Sequence, residues 1–196
     1  MTLVDLPTTK PDEQVSNYNT EDVLAVIRGR LGWLIFFFFG LFIAAMVVGQ
    51  FEELLRRQVE LSYFVPLLIG HGGNSGSQAC TTVIRALALK HVTPTNVVSV
   101  MFKEAAAGMT MGCILGSAIF GASFIISGLN PLVALTVAVT LPIISIWSNV
   151  LGVLLPMGAV HFGLNPATTA APLMTTLVDA TGLLIYFAIA QWLVTT

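Results

Sequence analysis

The chain has 196 residues, of which 56% are hydrophobic and only 9% charged, with a net charge of −2 and a mean hydropathy of +0.88. A soluble domain carries about 25% charged residues, so this composition excludes an ordinary soluble domain and describes an integral membrane protein. No basic run is present to hold a nucleic acid, and Cys80 and Cys113 lie in apolar segments without the CxxC spacing of a zinc site or a disulfide framework.

The opening "MTLVDLPTTKPDEQ" is acidic and polar where a signal peptide would be basic and then apolar. Residues 1–19 read as a disordered cytoplasmic tail. Residues 20–30, "TEDVLAVIRGR", predict a short amphipathic juxtamembrane helix with Thr20 as N-cap and Glu21 and Asp22 in its first turn. Residues 31–196 are then expected to form an all-α transmembrane domain. A spanning helix needs about 20 mostly apolar residues, and five segments qualify, at 31–50, 61–89, 97–127, 131–160 and 167–194. With the N-terminus in the cytoplasm, Lys10, Arg28, Arg30, Arg85, Lys90 and Lys103 fall inside and only Arg56 and Arg57 outside. The lysine and arginine bias therefore predicts a cytoplasmic N-terminus and an external C-terminus.

The second span carries "PLLIGHGGNSGSQ" at its centre. Pro66, Gly72, Gly73 and Gly76 are expected to break or loosen the helix there and to let another backbone come close. Non-helical backbone at membrane depth is tolerated where it lines a cavity. Asn74, Ser75, Ser77 and Gln78 would place amide and hydroxyl groups beside that cavity, or bond to a neighbouring helix. In the third span Gly108, Gly112 and Gly116 recur every four residues, which predicts a flat face for close packing.

Eight of the ten acidic residues lie at or before Glu60, leaving Glu104 near an interface and Asp179 about midway along the last span. A carboxylate there costs at least about 2.5–3.5 kcal/mol on insertion scales, so it needs a partner or a wet path. No lysine or arginine follows Lys103. Helical spacing places Thr168, Ala171, Pro172, Thr175, Thr176, Gly182 and Tyr186 on the stripe of Asp179. From Thr168 to Tyr186 that stripe runs about 27 Å at 1.5 Å per residue and predicts a wall of an aqueous route; Thr168, Pro172 and Gly182 are its expected helix-loosening points. The competing reading is a protonated structural aspartate bonded to a neighbouring helix.

Oxygen lining without thiolate or imidazole clusters favours Mg²⁺, Mn²⁺ or Ca²⁺ over softer metals. Mg²⁺ keeps several waters and takes one or two carboxylates, a number that one aspartate per chain supplies when doubled by a two-fold axis. One polar wall does not close a pore, whereas a homodimer does. His71, His91 and His161 have no metal-ligand spacing and read as interfacial or packing residues.

At "FVPLLIGHGGNSGSQACTTVIRALAL", "KE" at 103–104, "NVLGVLLP" at 149–156 and "PLMTTLVDATGLLIY" at 172–186, the chain resembles the transmembrane domain of MgtE-type magnesium channels. The resemblance covers residues 21–194 in order. It implies five transmembrane helices per subunit in a homodimer, an ion path along the two-fold axis between the second and fifth helices, and a prokaryotic inner (plasma) membrane. By that resemblance Asp179 matches the intramembrane magnesium-binding aspartate, and the candidate ion-contacting set is Asp179, Thr175, Ala171, Asn74 and Gln78. The chain departs from the family at Ala171 and Asn165, where those channels carry an asparagine and an acidic residue. About 30 residues precede the first span, so the cytoplasmic sensor domains of those channels are not expected in this chain.

Two other mechanisms fit parts of the pattern. An ion-coupled Mg²⁺ exchanger would also use a midplane carboxylate, whereas a channel draws about 4.6 kcal/mol per 100 mV for a divalent ion from the membrane potential. "GNSG" at 73–76 formally matches the GxSG of rhomboid-like intramembrane proteases with His161 as base, but "HFGLN" follows the serine where those proteases place HxxxN before it. The expectation is a transporter and not an enzyme, with the lipid bilayer, a second copy of the chain and divalent cations as its partners.

Overall fold

A computed structural model describes residues 22–126 and 128–195, and these are helical with short connections. The expected tail and the proposed Thr20 cap lie outside the described residues. The described helices are α1 (Val23–Gln50), α2 (Glu52–Arg57), α3 (Glu60–Tyr63), α4 (Val65–Ala88), α5 (Val97–Ala122), α6 (Pro131–His161) and α7 (Pro166–Thr195), with a 3-10 turn at Pro94–Asn96. Among the described residues four helices, α1, α5, α6 and α7, are long and apolar enough to cross a membrane. The remaining long helix, α4, is about 36 Å long for its 24 residues; its polar centre lowers its hydropathy.

Two expectations about helix continuity are corrected. The juxtamembrane helix of residues 20–30 is not a separate element, because α1 runs unbroken from Val23 to Gln50 with Asp22 at its N-cap position. Nothing between Arg30 and Leu31 can stop a helix, so the polar turn simply continues into the apolar span. Nor is α4 broken: it is helical from Val65 to Ala88 through every glycine of the polar stretch. Pro66 sits in its first turn, where the missing N–H costs nothing. A glycine lowers helix propensity by about 1 kcal/mol relative to alanine, which neighbouring helices offset here by packing.

α6 is the central helix, packed against α4, α5 and α7, while α1 packs mainly on α7. The α5–α6 seam is the expected glycine face. A Cβ at Gly108 would stand 2.6 Å from the Ser145 carbonyl oxygen, one at Gly112 would stand 2.8 Å from that of Leu141, and Gly116 abuts Ala138. Without a hydrophobic driving force between helices in lipid, such close approach is what holds them. The main core is built from Leu61, Leu68, Val137, Leu141, Ile144, Tyr186 and Phe187. Outside it, the short helix α2 carries Arg56 and Arg57 paired with Glu52 and Glu53 one turn earlier; exposed pairs of this kind add little stability.

Candidate functional site

α4 and α7 run antiparallel and meet at the glycines. A Cβ on Gly72 would stand 2.7 Å from Val178 Cγ1, one on Gly73 would stand 3.9 Å from Thr175 Cγ2, and Gly76 lies under the Met174 sulfur. The α4 sequence at 72–76 is thus laid against α7 at 174–178, one residue from Asp179. Gly72 and Gly76 are buried and close-packed, whereas Gly73 has room.

Asp179 is half-buried, and among the described residues no hydrogen bond or ion pair reaches its carboxylate. On the same helix Thr175 Oγ1 donates to the Pro172 carbonyl at 2.9 Å and Thr176 Oγ1 to the same oxygen at 3.0 Å. With their protons committed inside the helix, both hydroxyls keep their lone pairs for a donor or a cation. α7 runs through Pro172 without a break, which corrects the expected loosening there. The proline still offers no N–H to the Thr168 carbonyl, and Thr168 is exposed. Ala171 is half-buried, and its methyl carries no ligand atom.

The stripe narrows at its far end. Tyr186 is fully buried and donates its hydroxyl to the Leu61 carbonyl at 3.0 Å, and Gly182 is buried where a Cβ would stand 3.7 Å from Ile144 Cδ1. Both belong to the core rather than to an aqueous wall, because α3 and α6 cover that part of α7.

Asn74 and Gln78 are exposed. They line a cavity of about 320 Å³ together with His71, Ser75 and the α5 side chains Met111, Ile114 and Leu115, and a second of about 520 Å³ with Ser77, Thr81 and Thr82. Neither cavity includes Asp179, Thr175 or Ala171. One protomer therefore places the five expected ligands on two flanks of the α4–α7 contact without closing them around a point. Among the described residues no group of three or more His, Cys, Asp or Glu side chains comes together.

A polar network holds the other side of α4, and the α6 half of it was not singled out in the sequence as a partner for α4. Ser75 Oγ donates to Asn149 Oδ1 at 2.7 Å, and Asn149 Nδ2 donates to the Glu104 carbonyl at 3.0 Å, so one buried asparagine ties α4, α6 and α5. Ser145 Oγ donates to the Leu141 carbonyl, so His71 Nε2–H donates to Ser145 Oγ, 2.7 Å away. His71 thus bonds to a neighbouring helix, in keeping with its reading as an interfacial or packing residue. The available signal was the spacing of Ser145 and Asn149, four residues apart on one face of an apolar helix. Ser75 is spent on Asn149, and His161 lies about 18 Å further along α6 at 1.5 Å per residue. That separation leaves no serine–histidine dyad.

The MgtE family, described as divalent cation transporter, matches residues 65–189. The magnesium transporter MgtE of Thermus thermophilus is 32% identical over 90% of this chain and 39% of its own length. The proteins of the same name from Bacillus subtilis and Enterococcus faecalis are 33% and 30% identical, over 88% and 97% of this chain and 38% and 44% of theirs. The chain thus spans about two fifths of the length of these curated relatives. The matched segment holds both flanks of the α4–α7 contact and the network behind them, and the chain belongs to the MgtE family of divalent cation transporters.

Proposed function

We propose that this protein conducts divalent cations, Mg²⁺ foremost, through a homodimer of five-span subunits whose two-fold interface forms the ion path, with Asp179 as the intramembrane cation ligand. The observation that carries this reading is the half-buried Asp179 carboxylate, without a bonded partner among the described residues, inside a span where such a group costs at least about 2.5–3.5 kcal/mol. A permeating cation offsets that cost, and a second copy brings a second carboxylate to share it. The incomplete ligand set of one protomer supports the dimer: Thr175 and Asp179 stand on one flank, Asn74 and Gln78 on the other, all at the surface of the bundle or half-buried there. In this path α4 is the fifth span, and its polar centre serves as lining. Thr175 offers a hydroxyl oxygen, Asn74 and Gln78 offer amide oxygens, and Ala171 keeps the wall narrow without a side-chain oxygen. The relatives named as magnesium transporters support Mg²⁺ as the principal ion; oxygen ligands also accept Mn²⁺ and Ca²⁺. The lysine and arginine bias supports a cytoplasmic N-terminus.

The test is Mg²⁺ uptake by vesicles holding the purified chain, with matched amounts of wild type and Asp179→Asn under an imposed inside-negative potential. Uptake that follows the potential in wild type and collapses in the variant is expected. Equal uptake and equal competition by Mn²⁺ and Ca²⁺ in the two would make Asp179 a structural acid.

A further inference from the structure

We propose that the apolar cleft between α1, α6 and α7 binds one acyl chain of an anionic phospholipid, with Arg30 holding the phosphate of its headgroup. The inference rests on the chain being embedded in a bilayer and is independent of which ion is transported.

The cleft arises from the way α1 is attached. α1 lies on α7 through Phe37, Ala44 and Gly40, whose missing side chain admits the Thr176 methyl, while α6 lies on α7 from another side. α1 and α6 do not pack closely on each other, so a wedge stays open where α1 begins, α6 ends and α7 begins. Its volume is about 310 Å³, and its walls include Trp33, Phe37, Leu154, Gly158, Phe162 and Leu173. Phe37 and Ala170 are buried at the inner wall, while Trp33 and Phe162 stand exposed at the rim. Trp33 and Phe37 stack with ring centroids 5.9 Å apart, giving one flat aromatic wall.

Water does not suit this space. A buried water needs two to four polar partners, and the Thr169 hydroxyl, a polar group in the lining, already donates to the Asn165 carbonyl at 2.9 Å. In a bilayer the filler at hand is a hydrocarbon chain. Charge then selects the lipid. Arg30 precedes Trp33 by three residues and Phe37 by seven, so it lies on the cleft face of α1, about one turn beyond the rim. Helical side chains lean toward the helix start, which carries the exposed guanidinium away from the apolar walls and toward the headgroup layer. The nearest acid on α1 is its N-cap, Asp22, about 12 Å from Arg30 along the helix axis, and no acidic residue occurs between Val23 and Phe51 or between Pro131 and Val178. A tryptophan at the rim is the residue that suits the boundary between acyl chains and headgroups.

The test uses the full chain with Trp147 and Trp192 changed to phenylalanine, so that Trp33 is its one tryptophan, in phosphatidylcholine vesicles. A minor fraction of either phosphatidylglycerol or phosphatidylcholine with brominated chains is included, and quenching of Trp33 is followed. The expected result is an apparent preference of about fivefold for the brominated anionic lipid, the scale of one basic side chain near an anionic surface. Arg30→Gln removes the preference. Gly158→Leu also removes it by filling the wedge; a Cβ at Gly158 meets nothing within 4 Å, so the backbone tolerates the change. Equal quenching by the two lipids in the parent overturns the proposal. So does a preference that survives Arg30→Gln, or a Trp33 that neither lipid quenches because a second copy of the chain covers the cleft.

Discussion

The α5–α6 seam and the α4–α7 contact are both built on glycines at helical spacing, but their glycines face different atoms. Gly108, Gly112 and Gly116 stand against the main chain of α6, at Ser145, Leu141–Pro142 and Ala138. Gly72 stands against the tips of Val178 and Ile144, Gly73 has only the Thr175 methyl at ordinary contact distance, and Met174 lies over Gly76. Main chain cannot yield without moving a helix, whereas a side-chain tip can turn. The first contact therefore fixes the distance between two helices. The second leaves that distance adjustable, and Asn74, Gln78, Thr175 and Asp179 are arrayed around it. Gly76 belongs partly to the first kind, since a Cβ there would also stand 2.9 Å from the Ser148 carbonyl oxygen of α6.

Substitutions that separate folding from flux break or sharpen this contrast. The largest effect is expected at Asp179. Asp179→Asn keeps size and hydrogen bonding, so yield and thermal stability should match wild type, while Mg²⁺ uptake falls by about tenfold or more, the factor that 1.4 kcal/mol of lost binding produces. Asp179→Glu keeps the charge but moves it outward by one methylene, and should shift the order of Mg²⁺, Mn²⁺ and Ca²⁺ in competition assays rather than abolish uptake.

Next comes the seam. Gly112→Leu should cost about 3 kcal/mol or more through overpacking against main chain, seen as a lower melting temperature and poor recovery of folded protein. Uptake per folded molecule should stay near normal, and a stable Gly112→Leu with lost uptake would erase the distinction drawn between the two contacts. Within α4 the two glycines first expected to act alike should now differ. Gly76→Ala meets the Ser148 carbonyl and should destabilise, whereas Gly73→Ala, with its nearest neighbour at 3.9 Å, should be tolerated with near-normal melting. Equal melting temperatures for the two variants would contradict the packing described.

The smallest effects belong to the network behind α4. Asn149→Ala unpairs the Ser75 hydroxyl and takes from the Glu104 carbonyl its second donor, beside the helical one within α5, and should lower stability by about 1–2 kcal/mol. Ser75→Ala removes one bond of that pair and should cost about 0.6 kcal/mol, the average for such bonds in membranes, with transport retained. Loss of transport in Ser75→Ala at unchanged melting temperature would give that hydroxyl a role other than bonding Asn149.

Much of the molecule is legible in its sequence. Composition alone marked a membrane protein, because lipid-facing helices cannot carry the charge of a soluble surface. The long helices followed from apolar runs of spanning length, and the α5 seam from glycines repeating every four residues. A four-residue period is a property of one helix, so one helix's sequence suffices to read it. Asp179 stood out for the same reason: a carboxylate in an apolar span is conspicuous whatever surrounds it. The unbroken course of α4 was not legible, since glycine's poor propensity is overridden only by packing partners distant in sequence, such as Met174 and Val178 over Gly76 and Gly72. The stripe of α7 could be drawn from helical periodicity, but periodicity cannot say what covers it. Tyr186 lies on that stripe and ends in the core because its hydroxyl finds the Leu61 carbonyl, 125 residues away. His71 and Ser75 likewise found their partners on α6, 74 residues along the chain. Local sequence determined which helices form and which of their faces are small or polar. Which faces are buried, bonded or left open depended on contacts between helices far apart in the chain, and no local pattern encodes those.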